Sequence, residues 1–291
     1  MPLTTSRLDE GIVITLDFPI NQRYDRCRTG SKTVREEYEM PELQLLFYQK
    51  PTRLNTTAHG KLRFSPLSSF EFAAKVSAVP LIAAEFPVAC RQYPIVFIET
   101  PTGLSAQAVL SLQQDRNAFL DERGHWTATY VPAFIRRYPF VLAEIPEKKE
   151  DFDVAFDEAS SCFDRKKGDP LFDEEGMPSK LLKEQMEFLR MFHAESTRTQ
   201  QFLETLKEDD LLTPYNVDIV RGEDSARFAV RNFLVVNESK LQSLGADEAM
   251  TYLKNGWLAL IYAHLISLQS FLALANRAGD QGSSKTPWWA K

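Results

Sequence analysis

The sequence predicts an α+β fold in which an antiparallel or mixed sheet, built from hairpins, fills the N-terminal two-thirds and packs with C-terminal helices. Short apolar runs separated by turn residues dominate the first half, a pattern typical of hairpin strands. Apolar residues at spacings of three and four follow Ser179, which indicates a long helix. Strands that come first and helices that come last, without regular βαβ alternation, favour α+β over α/β.

The N-terminal half contains the predicted hairpins. A strand-like run, Leu43–Tyr48, precedes a second strand in "KLRFSPL". Pro80 suits the first turn of a helix, where its missing N–H has no partner within the helix. The strand "IVFIE" then leads into a turn at residues 100–103 and a returning strand, and a further hairpin is predicted around residues 121–124.

The C-terminal half contains the predicted helices. The acidic segment 147–175 is interpreted as loop with one short strand. Ser179 is expected to cap a helix over about 180–207. The runs "YNVDIV" and "RFAVRNFLVVN" predict a late strand pair, and two helices at 247–254 and 256–276 are expected to close the fold.

Composition also predicts how the chain is divided. Residues 1–40 are polar, charged and without periodicity, and are expected to form a poorly ordered extension. Residues 41–278 are predicted to form a single α+β domain. The tail 279–291 is flexible by composition, although it holds two tryptophans.

One segment occurs twice, 45 residues apart. The first copy reads "RQYPIVFIE" and the second "RRYPFVLAE", and each follows a Val-Pro pair. Both copies predict a short helix with a basic last turn, a break at the Tyr-Pro pair and an apolar strand. This pattern explains Arg136, which matches Arg91. Arg137 matches Gln92 instead, so its charge is not explained by the repeat.

Charge and cysteine content exclude several classes of protein. The net charge of the 291 residues is −6, which lacks the basic footprint of a nucleic-acid-binding protein. Three widely spaced cysteines favour a reducing compartment over a disulfide framework. The N-terminus does not read as a signal peptide, so a cytoplasmic location is expected, with surface association only through a non-classical export route.

The run from Trp257 to Ala275 is long enough to cross a bilayer. His264, Ser267 and two further polar residues interrupt it, so a buried core helix is the favoured interpretation and no transmembrane segment is expected.

The usual catalytic signatures are missing from the sequence. It holds no phosphate-binding glycine loop, dinucleotide fingerprint, G-x-S-x-G or H-E-x-x-H motif. His193 and Glu195 with His264 have the residue types of a metal site, but positions i and i+2 of a helix point to different faces. No metal and no cofactor is therefore expected, and whether the protein is an enzyme stays open, with the balance against it.

Four residues are candidates for ligand binding: Arg137, His59, Arg63 and His264. In a strand, His59, Lys61 and Arg63 would share one face, which would form either an anion-binding face or the wet side of an edge strand. His264 is alternatively a core histidine bonded to a neighbouring element. Arg137 is the stronger candidate of the adjacent arginine pair.

Several segments together resemble the SapC family of bacterial proteins. They are "LLFYQKPTRLNTTAHGKLRF", "FAAKVSAVPLIAAEF", "YPIVF", "NAFLDERGHWTATYVPAFIRRYPF", "PLFDEEG" and "ALIYAHLISL". They run in order from about Leu43 to Leu274, and "YVPAFIRRYPF" is the most specific. The chain does not resemble the peptide-transport permease of the same name, which has several membrane spans.

The resemblance implies a function only in outline. The family is named after a surface-layer-associated protein, and its members are often encoded near outer-membrane receptors, halogenase-like flavoproteins and cupin-like oxygenases. This implies a non-catalytic binding or accessory protein for nutrient uptake or for peptide or metabolite modification. The partner, a protein or a small molecule, and the oligomeric state are left open. The alternatives are a structural surface-layer component, or an enzyme with an unrecognised site near His59, Arg137 and His264.

Overall fold

A computed structural model describes residues 46–145, 148–220 and 227–280. The expected N-terminal extension, most of the predicted run Leu43–Tyr48 and the tail after residue 280 lie outside these ranges. The strands are β1 (Pro51–Arg53), β2 (Arg63–Phe64), β3 (Ala78–Pro80), β4 (Ile95–Thr100), β5 (Gly103–Val109), β6 (Phe140–Ile145), β7 (Lys148–Asp157), β8 (Phe163–Asp164), β9 (Asp169–Pro170), β10 (Leu212–Val220) and β11 (Arg227–Val236). The helices are α1 (Thr56–His59), α2 (Phe86–Ala89), α3 (Ala133–Arg136), α4 (Lys180–Glu208), α5 (Glu238–Gln242), α6 (Ala246–Lys254), α7 (Trp257–Ser267) and α8 (Ser270–Asp280).

The predicted α+β class is confirmed. All pairings among these strands are antiparallel, and the longest helices lie in the C-terminal part. The strands form one five-stranded sheet, β10-β11-β4-β5-β3, and two three-stranded sheets, β1-β7-β6 and β8-β2-β9. Strands that follow one another along the chain pair in β4-β5, β6-β7 and β10-β11, as a hairpin-built sheet requires.

The described chain divides into two compact units, and the single domain predicted over 41–278 stays a prediction. Unit 1 holds residues 73–133 and 195–280, and unit 2 holds residues 46–72 and 134–194. The five-stranded sheet belongs to unit 1, and both three-stranded sheets belong to unit 2.

Each unit contains one copy of the repeated segment in the same local topology. In unit 1 the Tyr-Pro strand β4 pairs with β5, which pairs on its other side with β3. In unit 2 the Tyr-Pro strand β6 pairs with β7, which pairs on its other side with β1. The predicted break and strand are found in both copies, each within a three-stranded motif that the repeated residues alone did not reveal. The predicted helix with a basic last turn is found only in the second copy, because α2 ends at Ala89, before Arg91.

Large aromatic and aliphatic side chains fill the interior of each unit. In unit 1 the fully buried rings include those of Phe86, Phe97, Phe202, Phe233 and Phe271. In unit 2 one cluster joins residues from β2, β6, β7 and α4, among them Phe64, Phe140, Phe156, Leu182 and Leu189. Burial of such side chains is the main favourable term in folding, at about 1.5–3 kcal/mol for each large apolar side chain.

Local patterns predicted several elements well. The helix expected over 180–207 is α4, and the Ser179 Oγ accepts a hydrogen bond from the Leu182 N–H at 3.3 Å, as an N-cap does. The hairpin at residues 100–103 is β4-β5, and its turn ends at Gly103, whose φ of 125° favours glycine. The late strand pair is β10-β11.

Other predictions were wrong. Pro80 ends strand β3, and the helix begins only at Phe86, because the N–H-free proline sits on a sheet edge where no donor is needed. The acidic segment 147–175 contains the ten-residue strand β7 and the short strands β8 and β9. The helix expected over 256–276 is divided into α7 and α8 by a turn of i→i+3 hydrogen bonds at Leu268 and Gln269.

The α7–α8 segment is the one candidate for a membrane span in the described chain, on length and hydropathy alone. The most apolar 18-residue window within Trp257–Ala278 has a mean hydropathy of 1.8, and 44% of that window is buried inside the protein. A core helix passes the same test.

Candidate functional site

His264 on α7 joins two strands of the five-stranded sheet. Its Nδ1–H donates to the Ile95 carbonyl oxygen at 2.8 Å, and its Nε2 accepts from the Val236 N–H at 3.1 Å. The Ser267 Oγ, one turn later, accepts from the Ile95 N–H at 2.8 Å. Strand β11 pairs with β4 only at Leu234 and Phe97, so these side chains satisfy the main chain where the two strands part.

Burial determines the charge of this histidine. Both His264 and Ser267 are fully buried, and desolvation lowers the pKa of His264 to about 4, although its bond to the Ile95 carbonyl acts in the opposite direction. The ring is therefore neutral near pH 7, with its proton on Nδ1. This is the core histidine that the structural interpretation of the sequence expected.

His59 and Arg63 lie in unit 2 and do not share a strand face. His59 ends helix α1, and only Arg63 belongs to strand β2, so the predicted alternation with Lys61 was wrong. The His59 Nδ1 accepts from the Asn55 N–H at 3.1 Å, and its ring packs edge-on against Phe156 with 5.0 Å between centroids. The half-buried Arg63 donates through its Nη1 to the Gly168 carbonyl oxygen at 2.8 Å.

Arg137 is buried, while its neighbour Arg136 is exposed. The guanidinium of Arg137 lies 4.1 Å from the ring centroid of Phe134 and 5.1 Å from that of Phe192, and the residue is 4% exposed. Desolvation lowers the pKa of Arg137, although the group remains a cation at any physiological pH. Arg136 is the last residue of α3, as predicted, and lies 5.3 Å from the Phe188 ring. The repeat thus distinguishes the two arginines. Arg136, which the repeat explains, is exposed, and Arg137, which it does not explain, is buried.

These four candidates are divided between the two units. His264 bonds to strands of unit 1, whereas the other three residues lie in unit 2. Within unit 2, the contacts of His59, Arg63 and Arg137 given above are with different residues.

A buried carboxylate that the sequence patterns did not indicate organises unit 2. Asp157, at the end of β7, is fully buried. Its Oδ2 accepts from the Tyr138 hydroxyl at 2.9 Å and from the Gln49 N–H at 3.2 Å. Its Oδ1 accepts from the N–H groups of Lys50 at 2.8 Å and Ala159 at 3.2 Å. Four donors compensate the desolvation of this charge.

Two tyrosines complete this cluster, which we call the Asp157 cluster (Tyr48, Tyr138 and Asp157). The Tyr48 hydroxyl donates to the Phe140 carbonyl oxygen at 2.8 Å, and the two tyrosine rings lie 5.3 Å apart. Burial is the main cause that raises the pKa of Tyr138 to about 12, and burial also raises the pKa of Tyr48. Both hydroxyls are therefore protonated donors near neutral pH.

Unit 1 has a corresponding cluster, the Glu85 cluster (Glu85, Tyr93, Trp126 and Tyr130). The buried Glu85 accepts from the Tyr130 hydroxyl at 2.6 Å, from the Ala133 N–H at 2.7 Å and from the Ile82 N–H at 3.1 Å. The Tyr93 hydroxyl donates to the Tyr130 carbonyl oxygen and accepts from the Trp126 Nε1–H at 2.9 Å. Burial again raises the pKa of Tyr93.

The sequence carried a signal for the two tyrosines but none for the two carboxylates. Tyr93 and Tyr138 stand at matching places in the repeat, so the repeat could have marked both as structural residues. Glu85 lies before its Tyr-Pro pair and Asp157 after its own. Neither falls within the nine repeated residues, and Asp157 was hidden in a segment interpreted as a solvated loop.

These arrangements hold backbone segments in place. Most hydrogen bonds of Asp157 and Glu85, and both bonds of His264, are made with main-chain groups. Among the residues described, no group of three or more His, Cys, Asp or Glu side chains could hold a metal ion. The buried Cys162 has its pKa raised by desolvation, so it is present as a thiol.

Comparison with protein families gives one match. The family model described as SapC matches residues 54–274, about three-quarters of the chain. The chain belongs to the SapC family. The SapC match includes both copies of the repeat and all four candidate residues. No curated protein and no solved structure matched the chain.

Proposed function

We propose that this SapC family member is a non-catalytic binding or accessory protein that works in the cytoplasm. The observation that carries the proposal is the use of its buried ionisable side chains, which bind the protein's own main chain. His264 joins two strands, and Asp157 holds the segment at residues 49–50 to the end of β7. A substrate could reach these atoms only by replacing bonds that support the fold.

The protonation states of these groups support the same proposal. A general acid or base works best with a pKa near the pH at which it acts. The pKa of His264 is shifted well below neutrality to about 4, and that of Tyr138 well above it to about 12. Burial raises the pKa of Cys162 as well, which disfavours a reactive thiolate. Near neutral pH, His264 is thus neutral, and Tyr138 and Cys162 keep their protons.

The system that the protein serves is proposed from the family resemblance. Genes for SapC-like proteins are expected near genes for receptors and oxidative enzymes. This suggests that the protein assists nutrient uptake or the modification of a peptide or metabolite. The net charge of −6 makes nucleic acid an unfavourable partner. A protein or a small molecule is the partner that we propose.

Two measurements on the full chain test this proposal. The purified protein is incubated with a metabolite extract of the organism that encodes it, and the mixture is analysed by mass spectrometry. We expect no time-dependent consumption of any metabolite beyond that seen with heat-inactivated protein. Turnover by the wild type that is lost in a folded Arg137→Gln or His264→Gln variant would replace the proposal with an enzyme.

The second measurement concerns the location and the partner. Cell fractionation should place the protein in the cytoplasmic fraction, and affinity capture from that fraction should recover one stoichiometric protein or small molecule. Recovery in the cell-surface fraction would instead favour a surface-layer component. Recovery of the bare chain from repeated captures, with or without cross-linking, would contradict a binding role.

A further inference from the structure

Basic side chains lie around the β8-β2-β9 sheet of unit 2. Strand β2 lies between the other two strands, and Arg63 pairs with Asp164 on one side and with Pro170 on the other. The loop that joins β8 to β9 carries three consecutive cations, all exposed, at residues 165–167. Lys61 is exposed as well and precedes Arg63 by two residues. We call these five basic residues the Arg63 surface (Lys61, Arg63, Arg165, Lys166 and Lys167).

The main chain of this loop is fixed beside Arg63. The Arg63 Nη1 donates to the Gly168 carbonyl oxygen at 2.8 Å. Gly168 has a φ of 97°, and a Cβ there would collide with a carbonyl oxygen of β2, so the position requires glycine. The Asp164 Oδ1 accepts from the N–H groups of Lys166 and Lys167 at 2.5 and 3.0 Å. The loop cations are therefore presented from a defined main-chain position.

The charge of the Arg63 surface is not neutralised by ion pairs. Among the residues that the structure describes, none of its five cations forms an ion pair with an acidic side chain. Elsewhere in unit 2, by contrast, Lys50 pairs with Glu158 at 2.8 Å. Residues 61–65 and 163–170 together hold five basic and two acidic residues, a local charge of +3 on a chain of net charge −6. Such a concentration of one charge attracts groups of the opposite charge.

We propose that the Arg63 surface binds an acidic segment of a partner protein, in which several Asp or Glu side chains follow one another closely. This assignment of a contact surface rests on the proposed function of the protein as a binder of partners. Residues two apart in an extended chain span about 7 Å and paired strands lie about 5 Å apart, so the five Cα atoms fall within about 15 Å. An extended segment of about four residues covers that distance. Carboxylates also suit arginine, which can bind both oxygens of one group.

A small phosphate fits this surface less well. In loops that cradle phosphate, main-chain N–H groups contact the phosphate oxygens. The N–H groups of Lys166 and Lys167 already donate to Asp164, so a phosphate would be bound mainly by exposed, hydrated side chains.

Nucleic acid also fits less well. Single strands bind through stacking of bases on aromatic rings as well as through charge. The aromatic residues of the β8-β2-β9 sheet, Phe64 and Phe163, pack into the core of unit 2. The net charge of −6 is unfavourable for the rest of a long polyanion.

Fluorescence anisotropy with the full chain and a labelled deca-glutamate peptide tests the proposal. The wild type should bind the peptide at about 50 mM salt, and binding should weaken by at least about tenfold at about 500 mM salt, because exposed charges are screened. A neutral Gly-Ser peptide of the same length should show no binding.

The loop variant, Arg165→Glu/Lys166→Glu/Lys167→Glu, reverses the charge of the β8–β9 loop. It should weaken binding of the deca-glutamate peptide by about tenfold or more. All three side chains are exposed, so circular dichroism should show an unchanged fold.

The matched control is Arg91→Glu/Lys207→Glu/Lys254→Glu, which makes the same change in net charge at exposed residues of unit 1. It should bind the peptide within about twofold of the wild type. A wild type that does not bind the peptide at about 50 mM salt, or equal weakening in the loop variant and the control, would overturn the proposal.

Three further measurements identify another occupant of the surface. Binding to vesicles of phosphatidylglycerol and phosphatidylcholine that exceeds binding to the peptide, and is lost in the loop variant, would assign the surface to a membrane. Displacement of the peptide by inorganic phosphate, beyond the effect of sodium chloride at equal ionic strength, would assign it to a small anion. Peptide binding that appears only in Glu36→Gln/Glu37→Gln/Glu39→Gln would assign it to the chain's own N-terminal segment. Each of these results replaces the acidic partner.

Affinity capture distinguishes failure of this proposal from failure of the proposed function. Support requires a partner that the wild type and the control recover, that the loop variant does not recover, and that cross-links to the β8–β9 loop through an acidic segment. A partner recovered equally by both variants would leave the proposed function standing and overturn the role of the Arg63 surface.

Discussion

Tyr93 and Tyr138 hold matching places in the two units, but their hydroxyl groups bond to different chemical groups. Tyr138 donates directly to the buried carboxylate of Asp157. Tyr93 donates to the main-chain carbonyl of Tyr130, and the carboxylate of that unit, Glu85, is bound by Tyr130 instead. The repeated tyrosine therefore binds a buried carboxylate directly in unit 2, and in unit 1 it is connected to one only through Tyr130.

The residue before each tyrosine also differs, since it is neutral in unit 1 and charged in unit 2. In unit 1 the half-buried Gln92 exchanges two hydrogen bonds with Thr129, at 2.5 and 2.8 Å. In unit 2 the buried Arg137 lies between two aromatic rings. The surroundings differ too, because β4 lies inside a five-stranded sheet and β6 lies at the edge of a three-stranded one. Unit 2, with fewer strands beside its Tyr-Pro strand, thus places a carboxylate and an arginine next to its tyrosine, where unit 1 has neutral partners.

The largest effect is expected where buried charge is removed from unit 2. Asp157→Ala leaves a phenol and three N–H groups without their acceptor, which should lower the free energy of unfolding by about 4 kcal/mol. Urea denaturation followed by circular dichroism measures this loss. Hydrogen exchange should show that lost protection is concentrated in residues 134–194.

Glu158→Ala is the control for this prediction, since its carboxylate is exposed and pairs with Lys50 at the surface. It should change stability by less than about 1 kcal/mol. Equal losses in the two variants would show that Asp157 does not organise unit 2.

The next effect concerns unit 1 and its dependence on pH. The pKa of His264 is about 4 in the folded protein and 6.5 in its ordinary state, so the unfolded chain binds more protons between these values. The contribution of His264 is complete above about pH 6.5 and is lost as the pH falls towards 4, by about 3 kcal/mol in all. Denaturation at a series of pH values should show this slope, and His264→Gln should remove it.

His125→Gln tests whether the slope belongs to His264. The side chain of His125 is 55% exposed and pairs with Asp121 at the surface, so this variant should keep the slope of the wild type. An unchanged slope in His264→Gln would mean that the buried ring is not its source.

A direct comparison of the two tyrosines should give a smaller difference. Tyr138→Phe removes a hydrogen bond to a carboxylate and should cost about 2 kcal/mol, whereas Tyr93→Phe removes bonds to neutral groups and should cost about 1 kcal/mol. Paired urea titrations measure both losses. A larger loss of stability in Tyr93→Phe than in Tyr138→Phe would contradict the stronger contribution of the tyrosine–carboxylate bond in unit 2.

A modest effect is expected at the position that distinguishes the two copies. Arg137→Gln makes the second copy read like the first and removes a buried cation from two rings, which should cost about 1.5 kcal/mol. Arg136→Gln and Arg91→Gln change exposed residues and should each cost about 0.5 kcal/mol or less. Thermal denaturation should show a larger fall in Tm for Arg137→Gln than for the other two variants. Equal falls in Tm would contradict a special role for Arg137.

Local patterns explain which parts of the fold could be predicted. The period of α4 and the turn of the β4-β5 hairpin depend on neighbouring residues, and both were predicted. Strand β7 was missed because its acidic residues suggested a loop, while its pairing with β1 and β6 depends on partners elsewhere in the chain. The division of the last long helix into α7 and α8 was missed because its apolar period continues across the break.

The candidate site shows the same limit. The repeat distinguishes Arg137 from Arg136 on sequence alone, but it could not show that the Arg137 side chain lies between two rings. A ligand contact of Arg137 stays a prediction. Asp157 and Glu85 could not be found, because a carboxylate in a polar segment has the same sequence signal whether it is solvated or buried.

The sequence alone determined the α+β class, the long helix, the SapC resemblance and the repeated Tyr-Pro segment, since each of these is written in short-range order along the chain. Only the tertiary structure decided that the two copies belong to separate compact units and that His264, Arg137 and Asp157 are buried. The physical reason is that burial and hydrogen bonding depend on residues brought together from distant parts of the chain. These contacts set the charge of His264 and the partner of each tyrosine.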